Sequence, residues 1–179
     1  LGPAMAVGQR RGTGNAKRRL AYVGTYSSRE GPNHGQGIHI LEMNPSTGRL
    51  VPNEIVRSES NPSWLAFNRS RTHLYSANES TDPTTGSGSV SAYAVDRATG
   101  SLTLLNTVSS EGAGPAHLSI HPAGNHALVA NYGGGSVAVL PIQRDGRLGS
   151  ASDVKRHQGT VGPAQPSGAP PGSFAISGH

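Results

Sequence analysis

The chain has no cysteine and few aromatic or charged residues, and these absences exclude several kinds of protein. Without cysteine it can form no disulfide, no zinc–thiolate site and no cysteine nucleophile. Aromatic residues make up 4% of the 179 residues and charged residues 14%, a composition that fits neither a helical bundle nor a highly charged disordered chain. No apolar run approaches the roughly 18 residues of a membrane-spanning helix, so we expect no membrane partner.

Glycine and proline, in contrast, are abundant. The chain has 25 glycines and 13 prolines, and many of them separate short segments in which apolar and polar residues alternate. Alternation at every second residue is typical of a β-strand with one buried face. The composition therefore predicts an all-β protein with many turns.

The net charge of +5 arises at the start of the chain. Residues 1–20 contain no acidic residue and carry five cations, namely Arg10, Arg11, Lys17, Arg18 and Arg19. The remainder has 10 basic and 10 acidic side chains and is formally neutral. We interpret residues 1–20 as a flexible basic leader. Because no aromatic residues are interleaved with its cations, we predict no nucleic-acid partner.

The leader also bears on location. Ala4-Met5-Ala6 has the small-x-small form of a signal-peptidase site. This favours a periplasmic or secreted protein, with a cytoplasmic location as the alternative.

Three segments of the chain repeat one another. YVGTY is followed by GIHILEMNPSTGRL, LYSAN by SVSAYAVDRATGSL, and ALVAN by SVAVLPIQRDGRL. Gly48, Gly100 and Gly146 fall at matching positions. The spacing is 52 residues from Leu50 to Leu102 and 46 from Leu102 to Leu148. SWLAFN and AHLSIH add a further strand ahead of the second and third pairs, so each repeat predicts four short antiparallel strands, the pattern of a β-propeller blade.

The repeats define the expected domain organisation. Residues 21–149 are predicted to form about three blades, and residues 150–172 a Pro/Gly-rich excursion. Residues 173–179 are expected to start a further strand that is cut short. Three blades cannot close a ring, so we expect the chain to be the N-terminal part of a longer propeller that is a monomer when complete.

The quoted motifs resemble those of the lactonase-type seven-bladed propellers, the family that includes propeller-type 6-phosphogluconolactonases and carboxymuconate cyclases. NPSWLAFNRSRTHLYSANES and GPAHLSIHPAGNHALVANYGGGSV carry the resemblance, which covers residues 21–148. The resemblance implies hydrolysis of a small-molecule sugar lactone, in particular 6-phosphogluconolactone, without a cofactor. A muconate-type cyclase and a non-catalytic propeller that binds a protein or a glycan are the alternatives.

His117 is the candidate general base for opening a lactone, which requires a group to take the proton of the attacking water. It stands 53 residues after Trp64 at the matching repeat position, so the repeat itself does not demand histidine there. A hydrogen-bonded histidine without a chemical role is the alternative. We interpret His121 and His126 as structural. His117 and His121 would lie about 13 Å apart along a strand, too far to share an ion, so we predict no metal.

Three of the remaining candidates lie at or directly after the end of LYSAN or ALVAN, and the fourth, Trp64, lies on the strand ahead of LYSAN. Beside His117 as the base, Asn131 is predicted to donate a hydrogen bond to a lactone oxygen, and Asn78 is predicted to bind substrate in the same way. The alternative is that both asparagines cap the backbone of their loops. The repeat alignment places Tyr26 at the same position in the first unit. Tyr132 is predicted to bind substrate, and Trp64 either to stack on a sugar ring or to fill space between blades.

Overall fold

The computed structural model of the protein describes residues 18–27 and 35–159. Within these residues the regular secondary structure consists of eleven β-strands in three antiparallel sheets, which confirms the predicted all-β architecture of propeller blades. No helix in the described part of the chain is long and apolar enough to cross a membrane.

Each sheet is a meander in which strands that follow one another in sequence are neighbours in space. The first sheet contains β1 (Leu20–Gly24), β2 (Gly37–Met43) and β3 (Leu50–Arg57). The second contains β4 (Pro62–Phe67), β5 (His73–Asn78), β6 (Ser89–Val95) and β7 (Leu102–Ser109). The third contains β8 (Pro115–Ile120), β9 (His126–Asn131), β10 (Ser136–Pro141) and β11 (Asp153–Arg156).

The third sheet extends beyond the predicted blade region. β11 lies inside residues 150–172, which the sequence analysis assigned to an excursion, and it pairs with β10 from Asp153 opposite Val139 to Arg156 opposite Ser136. A strand thus lies within the predicted excursion, and the predicted boundaries stay a prediction. Three predicted segments lie outside the described residues. They are the first 17 residues of the leader, the later part of the excursion and the strand at 173–179.

A repeated turn that follows β2, β6 and β10 explains the matching glycines. Gly48, Gly100 and Gly146 have φ angles of 71°, 81° and 87°, a left-handed conformation that glycine adopts without steric cost. In the second sheet the Asp96 carboxylate accepts hydrogen bonds from the amides of Ala98 and Thr99, and these bonds lower the pKa of Asp96.

The cores lie between sheets, because neither face of a sheet can be buried within the sheet itself. One cluster packs the first sheet on the second and contains Ile38, Ile40, Leu74, Tyr93 and Leu102. The other packs the second sheet on the third, with Tyr75, Val90, Leu118, Val129 and Leu140 among its members. Each blade is thus stabilised by its neighbours, as the repeat predicts.

A tyrosine at the same repeat position ties each sheet to the next. The hydroxyl of Tyr22 donates a hydrogen bond to the Gly100 carbonyl at 2.6 Å, and that of Tyr75 donates to the Gly146 carbonyl at 3.1 Å. Both acceptors are the turn glycines described above. The strand of one blade is therefore hydrogen-bonded to the turn of the following blade.

The buried hydroxyl of Tyr75 predicts a particular alkaline sensitivity. Burial, followed by the negative charge of Asp145, raises the pKa of Tyr75 to about 12. An unfolded tyrosine ionises near pH 10, so the stabilisation from the protonated phenol is complete below about pH 10 and is lost as the pH rises towards 12. Tyr75→Phe should cost about 1 kcal/mol at pH 7 and remove this part of the alkaline destabilisation.

Urea unfolding between pH 7 and pH 11.5, followed by circular dichroism, measures both effects. Tyr132→Phe is the control, since the ring of Tyr132 is 48% exposed. Equal alkaline slopes for wild type and Tyr75→Phe would contradict the assignment.

Candidate functional site

The first strands of the second and third sheets, β4 and β8, meet at the inner edge of the blades. The rings of Trp64 and His117 lie 4.4 Å apart between centroids, at 48° to each other. The indole N–H of Trp64 donates to the Leu118 carbonyl at 2.9 Å. Trp64 therefore joins the two sheets, as its space-filling interpretation requires, while 41% of its surface stays exposed.

A cleft of about 450 Å³, here called the rim cleft, opens at one end of these inner strands. Its lining residues are Tyr26, Ser63, Glu79, Ala116 and Tyr132. They come from all three sheets: one follows β1, two lie on β4 and β8, and two follow β5 and β9. The rim cleft is thus the place where the three described blades contribute to one surface.

Three of the lining residues occupy one repeat position. They are Tyr26, Glu79 and Tyr132, and each lies 53 residues after the one before it. They follow β1, β5 and β9 respectively. The Tyr26 hydroxyl donates to Glu79 Oε2 at 2.7 Å, so neighbouring blades are in contact here. Tyr132 was predicted from the sequence as a site residue, whereas Tyr26 and Glu79 were not. The constant spacing of 53 was the signal that could have found them.

The other two lining residues lie at matching irregularities of the inner strands. The register of β4 against β5 shifts between Pro62 and Trp64, and that of β8 against β9 shifts between Pro115 and His117. The extra residue at each shift is Ser63 or Ala116. Such bulges turn a side chain out of the regular alternation, here towards the rim cleft.

A second cleft, of about 520 Å³, lies on the face of the third sheet that points away from the second sheet, and is called the sheet cleft. Ala116 and Tyr132 line both clefts, so the two share a wall. His117 and Asn131 also line the sheet cleft, together with Lys155, Arg156 and His157 at and just after β11. The basic side chains lie on β11, at the opposite edge of the third sheet from β8 and His117.

The side chain of Asn78 forms its hydrogen bonds within the second sheet. Its side chain is fully buried, its amide donates to Ser89 Oγ at 3.1 Å and Ser91 Oγ at 2.8 Å, and its carbonyl accepts from Ser76 Oγ at 2.8 Å. Both amide hydrogens are used within the blade. The predicted contact with substrate is not supported by this geometry, and the alternative, a structural role, is the one that it favours.

Asn131 differs from Asn78 in the hydrogen bonding of its side-chain oxygen. Its amide donates to the Ser110 carbonyl at 2.8 Å and to Ser136 Oγ at 3.1 Å, which leaves no hydrogen to donate to a lactone oxygen. Its buried Oδ1 has no hydrogen-bond partner within residues 18–27 and 35–159, because Val129 stands where Ser76 lies in the second sheet. Asn131 is therefore placed to accept a hydrogen bond, not to donate one as predicted.

The strand register also corrects the repeat alignment. Asn78 pairs with Ser89 and Asn131 with Ser136, the first residues of β6 and β10. In the first sheet Gly24 pairs with Ile38, so Thr25 stands opposite Gly37, the first residue of β2. Thr25, not Tyr26, is the counterpart of the two asparagines, and Thr25 Oγ1 accordingly donates to the Gly37 carbonyl at 2.7 Å.

Among the described residues there is no group of three histidine, cysteine, aspartate or glutamate side chains that could hold a metal ion. His121 lies in a turn, where its Nδ1 accepts a hydrogen bond from the Ala123 amide at 3.2 Å. This is the turn role that the sequence suggested for His121.

Successive antiparallel sheets packed face to face, with their first strands meeting at one inner edge, define the blades of a β-propeller. The family model described as "Lactonase, 7-bladed beta-propeller" matches residues 20–171. This chain belongs to that family.

The chain is also similar to individual members of known name or structure. It is 35% identical over 140 residues to a 6-phosphogluconolactonase of Bacillus subtilis, covering 78% of this chain and 38% of that protein. It is 29% identical over 127 residues to a 6-phosphogluconolactonase of Formosa agariphila, covering 71% of this chain and 35% of that protein. Among solved structures, a periplasmic gluconolactonase of Pseudomonas aeruginosa superposes with a TM-score of 0.70 at 29% identity, covering 83% and 40% of the two chains. The chain thus spans under two fifths of the length of the curated relatives it matches.

The geometry of Asn78 predicts a change in stability without a change in substrate binding. Asn78→Ala removes three hydrogen bonds in the interior of the second sheet and should cost about 2–4 kcal/mol. For the lactone hydrolysis that is proposed below, KM should stay unchanged. Asn125→Ala, at an exposed turn residue, is the control and should change stability by less than about 0.5 kcal/mol. Denaturant unfolding and steady-state kinetics test the two halves, and a raised KM at unchanged stability would show that Asn78 does bind substrate.

Proposed function

We propose that this chain takes part in the hydrolysis of a sugar lactone, with 6-phosphogluconolactone as the substrate. The observation that carries the proposal is the 35% identity to the Bacillus subtilis 6-phosphogluconolactonase across most of the chain. The geometry supports it, because two clefts that share a wall offer a candidate base and a carboxylate towards the inner edge of the blades and basic side chains on β11.

Lactone hydrolysis makes simple chemical demands. Water attacks the carbonyl carbon, its proton passes to a base, and the ring C–O bond breaks to release a hydroxy acid. Donors near the carbonyl oxygen stabilise the negative charge that develops there. In this proposal the imidazole of His117 takes the proton. The hydroxyl of Tyr132, on the wall shared by both clefts, is proposed as the donor.

A phosphorylated substrate also needs positive charge. Lys155 and Arg156, on the edge strand β11, line the same cleft as His117, and guanidinium and ammonium groups bind phosphate through charge-assisted hydrogen bonds. We therefore propose that the phosphate lies towards β11 and that the lactone ring lies towards the wall shared with the rim cleft.

The test is the rate of 6-phosphogluconolactone hydrolysis by the full-length protein above the spontaneous rate. We expect His117→Ala to lower kcat/KM about 100-fold or more, the usual contribution of a general base. His126→Ala, a half-buried histidine on β9, is the matched control and should retain activity. No enzymatic excess from a folded protein would refute the function, and an active His117→Ala variant would refute the role of His117 alone.

We also propose that the protein is exported to the periplasm or secreted. Ala4-Met5-Ala6 and the periplasmic relative in Pseudomonas aeruginosa support this location. Fractionation of cells expressing the full-length gene would test it, and recovery of the protein only with the cytoplasm would refute it.

A further inference from the structure

The rim cleft has the composition of a site for a hydroxyl-bearing ring. Its surface consists of two tyrosine rings, one carboxylate, one serine hydroxyl and one methyl group. Tyr26 is 54% exposed and Tyr132 48% exposed, although the chain has only eight aromatic residues. Exposed aromatic rings with a polar tip suit a ligand that has both C–H faces and hydroxyl groups.

The carboxylate of Glu79 is held in position for a ligand. Its Oε2 accepts the hydrogen bond from Tyr26 at 2.7 Å, which orients the group across the boundary between two blades. Its Oε1 accepts no hydrogen bond from the described residues. An ionised carboxylate can accept several hydrogen bonds, and those to a charged acceptor are the stronger kind.

Ser63 supplies an independent observation. Its Oγ is buried and has no hydrogen-bond partner within the described part of the chain. A buried unpaired hydroxyl costs free energy, so its presence calls for an explanation. Ser63 is the extra residue at the shifted register of β4 and lines the rim cleft, and a ligand hydroxyl there would satisfy it.

The charge of the rim cleft excludes an anionic group as its occupant. Glu79 is the one charged side chain among the described residues that line it. A phosphate placed here would meet a negative charge without a cation, whereas a neutral polyol would not. The basic side chains lie in the sheet cleft instead.

We propose that the rim cleft binds the hydroxyl groups of the sugar ring, with Glu79 and Ser63 as the residues that recognise them and the rings of Tyr26 and Tyr132 beside its C–H faces. This inference rests on the proposed lactonase function and identifies the ring hydroxyls as the part of the substrate that the rim cleft binds. Glu79 then selects for free ring hydroxyls, and the reacting carbonyl lies towards His117.

The test uses a ligand that cannot be hydrolysed. 1,5-Anhydro-D-glucitol is a neutral pyranose without a carbonyl group, and a ring of this size should bind the full-length protein with a Kd on the order of 1 mM. Ligand-observed NMR titration measures this affinity. Glu79→Gln should weaken binding about fivefold, because a charged acceptor is replaced by a neutral one. Glu111→Gln, an exposed glutamate outside the rim cleft, makes the same charge change and should leave binding unaltered.

A second variant separates recognition from structural support. Ser63→Ala should also weaken binding about fivefold, but without lowering the stability of the unliganded protein, because it removes a hydroxyl that has no partner. A serine with a structural role would show the opposite pattern. The thermal midpoint of each variant is therefore measured beside its affinity.

Each outcome decides the inference independently of the catalytic proposal. Binding that is weakened by Glu79→Gln and Ser63→Ala supports the ring site even if no lactone is hydrolysed. Lactone hydrolysis without binding of the anhydroglucitol overturns the ring site and leaves the function standing. Equal binding by the Glu79→Gln and Glu111→Gln variants also overturns it. Preferential binding of choline would instead identify the rim cleft as a cation site.

Discussion

The packing of one sheet against the next is the interaction on which the rest of this structure depends. A single sheet leaves apolar side chains on both faces, and only its neighbours cover them. The hydrogen bonds from Tyr22 and Tyr75 to the turn glycines fix the position of each neighbour. A Cβ atom at Gly146 would lie 2.1 Å from the His73 ring, whereas one at Gly48 would meet nothing within 4 Å. Glycine at residue 146 is therefore required for close approach as well as for its backbone angle.

The same repeat that builds the blades separates supporting residues from recognition residues. Asn78 ends β5 and turns into the sheet, where serine hydroxyls satisfy it, and Glu79 comes next and faces the rim cleft. One blade later Asn131 lies in the sheet and Tyr132 lines the rim cleft in the same way, although the side-chain oxygen of Asn131 has no partner in the described part of the chain. A scaffold position and a ligand-facing position thus alternate along the chain, as side chains do along a strand.

The sequence predicted most of the fold because the blades repeat strand patterns, turn glycines and spacings. It predicted the site less well. A shift of one residue moves every side chain to the other face of a strand, so aligning Tyr26 with the asparagines concealed its match to Glu79 and Tyr132. The hydroxyls of Ser76, Ser89 and Ser91, which form hydrogen bonds with the side chain of Asn78, come together only because β5 pairs with β6. β11 escaped prediction because it carries a single apolar residue, Val154, and is specified by its pairing with β10.

The contact of Trp64 with His117 gives the chain an internal optical reporter. Trp64 is the one tryptophan in this sequence, and its indole bridges the second and third sheets. Fluorescence excited selectively at the red edge of its absorption therefore originates from a single boundary between blades. Separation of these sheets would expose the indole to water and shift its emission to longer wavelength. Early opening of this boundary could then be followed separately from unfolding of the sheets themselves.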